Sequence, residues 1–170
     1  MITIITVGKI KEKYIREGID EYLKRLTKYA KIELIELDDE CFDKEKTLKK
    51  EAEKIEKKLN KKSFIITLEI EGKQLNSLEF ANLIDKTTVN NSDITFIIGG
   101  SYGLSSDIKK LSNYRLSFSN MTFPHQLFRL IFIEQLYRSY KILNNETYHK
   151  WYIIVNTITK YKKKIYLLFL

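Results

Sequence analysis

The chain has 170 residues, 44% of them hydrophobic and 31% charged, the size and mixture of one globular domain. Its single cysteine, Cys41, excludes an internal disulfide framework, and no stretch reaches the ~18 apolar residues that a membrane-spanning helix needs. Thirty Lys and Arg against 22 Asp and Glu leave a net charge of +8, which suits a polyanionic partner such as nucleic acid and equally a lysine-rich solvated surface.

In chain order, residues 2–7, ITIITV, are short and β-branched and predict a buried strand, with Gly8 opening a turn. That run is too short for a secretory leader, so a soluble cytoplasmic protein is expected. From Lys11 to Lys28 the apolar residues Tyr14, Ile15, Ile19, Tyr22, Leu23 and Leu26 recur at intervals of three and four, an amphipathic helix. Residues 32–37, IELIEL, predict a strand with one wet face. Residues 43–60 predict a long exposed helix, with Leu48, Ala52, Ile55 and Leu59 in one stripe among Lys and Glu. A buried strand follows at 63–70, then a helix capped by Ser77, a strand ending at Gly99 and Gly100, and a short helix from Ser105. The strand YRLSFS and a last helix from His125 to Leu143 complete the pattern. Strand and helix alternate throughout, which predicts an α/β fold with a mainly parallel sheet flanked by helices. Ligands in such sheets sit beyond the carboxyl ends of the strands.

The stretch FIIGGSYGLSSD, residues 96–107, puts Gly99, Gly100 and Gly103 at such an end, in a chain with only six glycines. The spacing lacks the first G-x-G of the dinucleotide fingerprint, and no acidic residue closes the next strand to hold a ribose. No G-K-[ST] follows, which excludes a P-loop. From spacing alone, a tight turn and a seat for a closely approaching ligand both stand.

Two further segments narrow the choice. FSNMTFPHQLFRLIFIEQLYR, residues 118–138, and LYRSYKILNNETYHK, ending at Lys150, together with IIGGSYGLS resemble the SPOUT class of RNA methyltransferases. Residues 1–150 resemble one family within it, ribosomal RNA large subunit methyltransferase H. Each segment alone is unspecific, whereas their order and spacing are specific. The Ser101-Tyr102 pair departs from the Pro-Glu that many members carry.

The resemblance implies a C-terminal deep trefoil knot, an exception to the rule that chains are unknotted. It implies S-adenosyl-L-methionine as methyl donor, held by Leu68, Gly99, Gly100 and the run Phe118, Ser119, Asn120, Met121, Thr122 and Phe123. The glycines would then be bare because the donor approaches them too closely for a Cβ. It also implies a homodimer, agreeing with a last helix that is apolar nearly all round, and an acceptor in large-subunit (23S) ribosomal RNA, the N3 of a pseudouridine, methylated on the assembled ribosome. An imide N3–H must lose its proton, so His149 is the expected base. Arg138 and Tyr148 accompany it, while His125 takes a structural role and Glu134 pairs with Arg138. No metal is called for. Residues 1–150 form the expected methyltransferase domain, and 151–170, WYIIVNTITKYKKKIYLLFL, an atypical extension without a function of its own. A non-catalytic RNA- or ribosome-binding protein would use the same basic charge but has no need of a tight glycine turn. A dinucleotide-dependent oxidoreductase is the third reading.

Overall fold

The computed structural model describes residues 1–148. Five strands, β1 (Ile2–Val7), β2 (Ile32–Leu37), β3 (Phe64–Gln74), β4 (Ile94–Ile98) and β5 (Tyr114–Ser117), form one sheet in the order β2-β1-β4-β3-β5. Every neighbouring pair is parallel. Parallel neighbours require crossovers, and five helices supply helical cover on both faces: α1 (Lys13–Leu26), α2 (Lys44–Lys58), α3 (Ser77–Asn90), α4 (Ser106–Lys110) and α5 (His125–Leu143).

The central strands β1 and β4 are buried at every residue, as β-branched runs covered on both faces must be. Alternate side chains feed two cores. Ile2, Ile4, Ile66, Phe96 and Ile98 meet α1, α3 and α5 through Ile19, Phe80 and Phe132, whereas Ile5, Val7, Ile65 and Ile97 meet Ile55 and Ile108 on the other face. Each fully buried isoleucine or phenylalanine contributes roughly 1.5–3 kcal/mol. The last helix therefore buries most of its apolar surface inside one chain, against α1, α3 and the sheet.

Three local features differ from the sequence reading. The cap of α3 is Asn76, which accepts from the N–H groups of Leu78 and Glu79 while Glu79 reaches back to the N–H of Asn76; Ser77 is already helical. The strand at 114–119 ends at Ser117, so Phe118 and Ser119 belong to a loop. The strand at 63–70 runs on to Gln74, but Leu68 and Lys73 both stand opposite Leu116, so residues 69–72 are looped out of the pairing. Gly72 lets that excursion return, because a Cβ there would lie 2.5 Å from the carbonyl carbon of Leu116.

The start of α5 is tied to the far side of the sheet. Buried Arg129 donates to the carbonyls of Val7 and Gly8, with Glu36 at 3.5 Å. Glu12 makes no side-chain cap for α1, and Gln126 does that work from α5 by accepting the N–H groups of Lys11 and Glu12 at 2.7 and 3.1 Å. These bonds fix the first turn of α5 beside the carboxyl ends of the strands. No helix among the described residues is long and apolar enough to cross a membrane.

Candidate active site

A cavity of about 460 Å³ opens at the carboxyl ends of β3, β4 and β5, within the range of small-molecule sites. Leu68, Ile98, Leu116, Phe118, Phe123 and Phe128 make its apolar wall, and Lys44, Glu69, Glu71 and Lys109 stand along a charged side. Eight of the nine residues expected to hold a donor line it: Leu68, Gly99, Gly100, Phe118, Ser119, Met121, Thr122 and Phe123. Asn120 does not line it, and instead accepts from Gln74 Nε2 at 2.7 Å.

The loop 118–123 holds itself in place. Ser117 Oγ donates to the Ser119 carbonyl at 3.2 Å, and Ser119 Oγ accepts from the Met121 N–H at 2.9 Å. Phe118 is at once a wall of the cavity and part of the core, with ring centroids 5.4–6.0 Å from Phe128, Phe80 and Phe132. Met121 is 71% exposed at the mouth.

The glycines have a different reason from the one expected. A Cβ on Gly99 would lie 2.5 Å from the carbonyl carbon of Gly103, and one on Gly100 would meet the Glu51 carboxylate at 3.0 Å and Val7 at 3.1 Å. Gly100 and Gly103 pair in an isolated bridge, and Gly103 takes φ +78°. Bareness at Gly99 thus serves the chain's own tight turn, and at Gly100 it makes room for the Glu51 and Val7 side chains. Only at Gly103 would a Cβ enter open space, on the cavity wall.

Two buried glutamates flank the site with opposite electrostatics. Glu51, behind Gly100, has an Oε2 without a hydrogen-bond partner, and burial raises its carboxyl above the ordinary range. For Glu69 burial acts in the same direction, but bonds from Arg115 at 2.6 and 2.8 Å, from Thr67 at 2.8 Å and the nearby Lys109 outweigh it and hold the carboxyl low. His125, also on the lining, is lowered by desolvation and by the Arg129 cation.

Arg138 and Tyr148 stand elsewhere. Thirteen residue steps along α5 take His125 to Arg138, about 20 Å. Arg138 pairs with Glu134 at 2.6 Å, as expected, and lies over the Tyr148 ring at 4.8 Å. The Tyr148 hydroxyl donates to the same Glu134 oxygen at 3.0 Å. Burial first, then Tyr22 and Glu134, push that hydroxyl far above its ordinary value, so it keeps its proton and donates a hydrogen bond. Within one chain this cluster does not meet the cavity. His149 lies outside the described residues, as does the segment 151–170. Sequence reading missed Glu51, Glu69, Glu71 and Lys109; only the apolar–acidic alternation of LEIEG, ending at Gly72, hinted at two carboxylates on a strand end. Among the described residues, no group of His, Cys, Asp or Glu is arranged to hold a metal.

The family model described as "Predicted SPOUT methyltransferase" matches residues 1–149. Solved structures share the fold: a tRNA (m1G37) methyltransferase from Aquifex aeolicus (16% identity, TM-score 0.51, 81% of this chain and 69% of that one) and a probable methylase family protein from Haemophilus influenzae (14%, 0.51, 85% and 68%). Curated relatives include a putative ribosomal RNA large subunit methyltransferase H of Methanococcus maripaludis, 54% identical, and ribosomal RNA large subunit methyltransferase H of Carboxydothermus hydrogenoformans and of Clostridioides difficile, 51% and 52% identical. Each match covers 88% of this chain and 99% of the relative. With half its residues shared over nearly the whole length of such relatives, the chain belongs to the ribosomal RNA large subunit methyltransferase H family of SPOUT methyltransferases.

Proposed function

We propose that the protein methylates large-subunit ribosomal RNA, transferring the methyl group of S-adenosylmethionine to N3 of a pseudouridine in 23S RNA on the assembled ribosome. The observation that carries this reading is the convergence of eight motif residues on one cavity in a chain half identical to methyltransferases named for that RNA. Bound there, S-adenosylmethionine supplies an electrophilic sulfonium methyl. The cavity suits it: the apolar wall of Leu68, Leu116, Phe118 and Phe123 fits a nucleoside, and backbone groups of the loop 118–123 can read a base edge.

The acceptor's proton and charge fall to the other cluster. We assign His149 as the base at N3–H, Arg138 as the cation compensating charge on the uracil carbonyl oxygens, and Tyr148 as the group that orients Arg138. About 20 Å of α5 separates that cluster from the cavity of its own chain, so we infer a homodimer in which one copy's cavity receives the other copy's Arg138. We further take residues 1–150 as one catalytic domain, knotted at its C-terminal end as its class is, with 151–170 an appendage, and place the protein in the cytoplasm. The all-parallel order β2-β1-β4-β3-β5 supports the fold part of that reading.

α2 carries the exposed lysines Lys44, Lys46, Lys49, Lys50, Lys57 and Lys58, of which Lys44 lines the cavity, and Phe42 lies under the ammonium groups of Lys46 and Lys50 at 4.3 and 5.0 Å. Such a surface suits a phosphate backbone. Mass spectrometry of 23S nucleosides from a strain lacking this protein tests the whole reading. The expected result is loss of one N3-methylated pseudouridine, restored when purified protein and S-adenosylmethionine are added to the mutant's ribosomes. An unchanged nucleoside profile would refute it.

A further inference from the structure

The excursion of β3 at residues 69–72 builds something that the sheet itself does not require. A parallel strand could pair with β5 without interruption; here four residues leave the ladder, and Glu69, Ile70 and Glu71 all line the cavity. Ile70 is left 50% exposed. Opposite this lip stands Lys109 of α4, also on the lining, 3.2 Å from Glu69 and 3.4 Å from Glu71. Glu69, with only 4% of its side chain exposed, is held by Arg115 and Thr67 and serves as the fixed post. Glu71 is 67% exposed and held only by Lys109 and its own backbone. The cavity is thus apolar along one wall and carries a Lys–Glu pair along another.

We propose that this lip is the subsite for the amino-acid end of the methyl donor, with the Lys109 ammonium taking the ligand's carboxylate and the Glu71 carboxylate taking its α-ammonium. The assignment rests on the reading of the cavity as an S-adenosylmethionine site. A zwitterionic amino-acid end inserted between the two members of an ion pair gives each of its own two charges, and each of theirs, a counterpart, which avoids the desolvation cost of burying an uncompensated ion at this lip. Lys109 keeps Glu69 beside it throughout, and an ammonium has three donors to share among those partners. The nucleoside end has no charged group to place and keeps to the apolar wall.

Isothermal titration of the full chain with two probes tests this. S-adenosylmethionine carries the amino-acid end; 5′-methylthioadenosine has the same adenosine and sulfur without that end and without the sulfonium charge, so each variant is compared with the wild type on the same probe. Lys109→Ala should weaken S-adenosylmethionine about tenfold, the effect of one charge-assisted contact, and Glu71→Gln by several-fold, while 5′-methylthioadenosine binds both variants as it binds the wild type. Unchanged binding of 5′-methylthioadenosine also shows that the variants are folded, and Glu69 retains Arg115 and Thr67 when Lys109 is removed. If Lys109→Ala weakens both probes equally, or neither, the subsite is refuted while the donor site stands. If the wild type takes up neither probe, the donor site falls and the subsite with it.

Discussion

The two ends of α5 are built on opposite plans. At its start, His125 and Phe128 border a cavity whose opposite wall is a glycine turn, and Arg129 and Gln126 bond to main-chain groups of the β1–α1 connection. At its other end, Glu134, Tyr137 and Arg138 close over one another with Tyr22 and Tyr148: rings 5.1 and 5.7 Å apart and one carboxylate oxygen shared by a guanidinium and a phenol. The first end is held open by backbone contacts and can admit a ligand. The second is closed over itself by an ion pair, a shared carboxylate oxygen and ring contacts. Under the proposed function a methyl donor would use the former and charge compensation for an acceptor the latter, and within one chain the two stand about 20 Å apart along the helix.

The largest effect should come from disturbing the open end. Gly99→Ala would drive a Cβ into the main chain of Gly103, which has no flexible tip to yield. Unfolding free energy should fall by about 3 kcal/mol, and S-adenosylmethionine affinity by more than tenfold, as read by urea denaturation and calorimetry. Gly103→Ala meets no atom, so only its left-handed φ is penalised, about 1–2 kcal/mol. Equal losses for the two would mean that the turn is not what the glycines hold.

The closed end is the next target. Arg138→Ala should lower methyl transfer about 100-fold while leaving donor affinity within twofold, because the residue stands about 20 Å along the helix from the cavity. Mixing this variant with the cavity variant Gly99→Ala is the sharper measurement. If sites are shared between copies, mixed dimers regain activity that neither variant has; if activity stays at the sum of the two, each chain works alone.

The same contrast explains what could be read from sequence. Period and composition placed every strand and helix, because ITIITV and ITFII can only be buried and α1 has one apolar face. The cavity lining was legible through the order of three motifs, with no physical derivation from any one of them. The looped-out Glu69–Gly72 was not legible, since a strand that leaves its ladder has the same alternation as one that stays. Nor was the burial of Glu51, which looks on a helical wheel like any other acid in a lysine-rich helix and is inside because Gly100 makes room for it.

Those two glutamates give a smaller, pH-dependent test. Glu69 has a lowered carboxyl in the folded chain, so its contribution is present above the ordinary value of 4.5 and is lost as the pH falls through the folded value. Glu69→Gln should cost about 1–2 kcal/mol near neutrality, less than a fully buried pair because Arg115 is 48% exposed. Glu51 has the opposite sign. Its raised carboxyl binds a proton more tightly folded than unfolded, so stability declines as pH rises from 4.5 through the folded value, and the penalty persists above it. Glu51→Gln should therefore stabilise the protein by about 1 kcal/mol at neutral pH and by nothing well below 4.5, as read from urea midpoints from roughly pH 3 up to neutrality. A gain that does not depend on pH would assign the effect to packing and not to charge.

The smallest expected change comes from the same substitution as the largest. Gly18 lies inside α1 where it crosses α5, and a Cβ there would sit 3.1 Å from Leu130 Cδ1, the far end of a flexible side chain. Alanine gains roughly 0.8–1.0 kcal/mol over glycine in a helix interior. Leu130 must give by a few tenths of an ångström to admit it, which offsets much of that gain. Gly18→Ala should thus leave stability within about 0.5 kcal/mol of the wild type and donor binding unchanged. The added methyl group is identical to that of Gly99→Ala; whether it meets a movable side chain or fixed main chain decides between no effect and collapse of the turn.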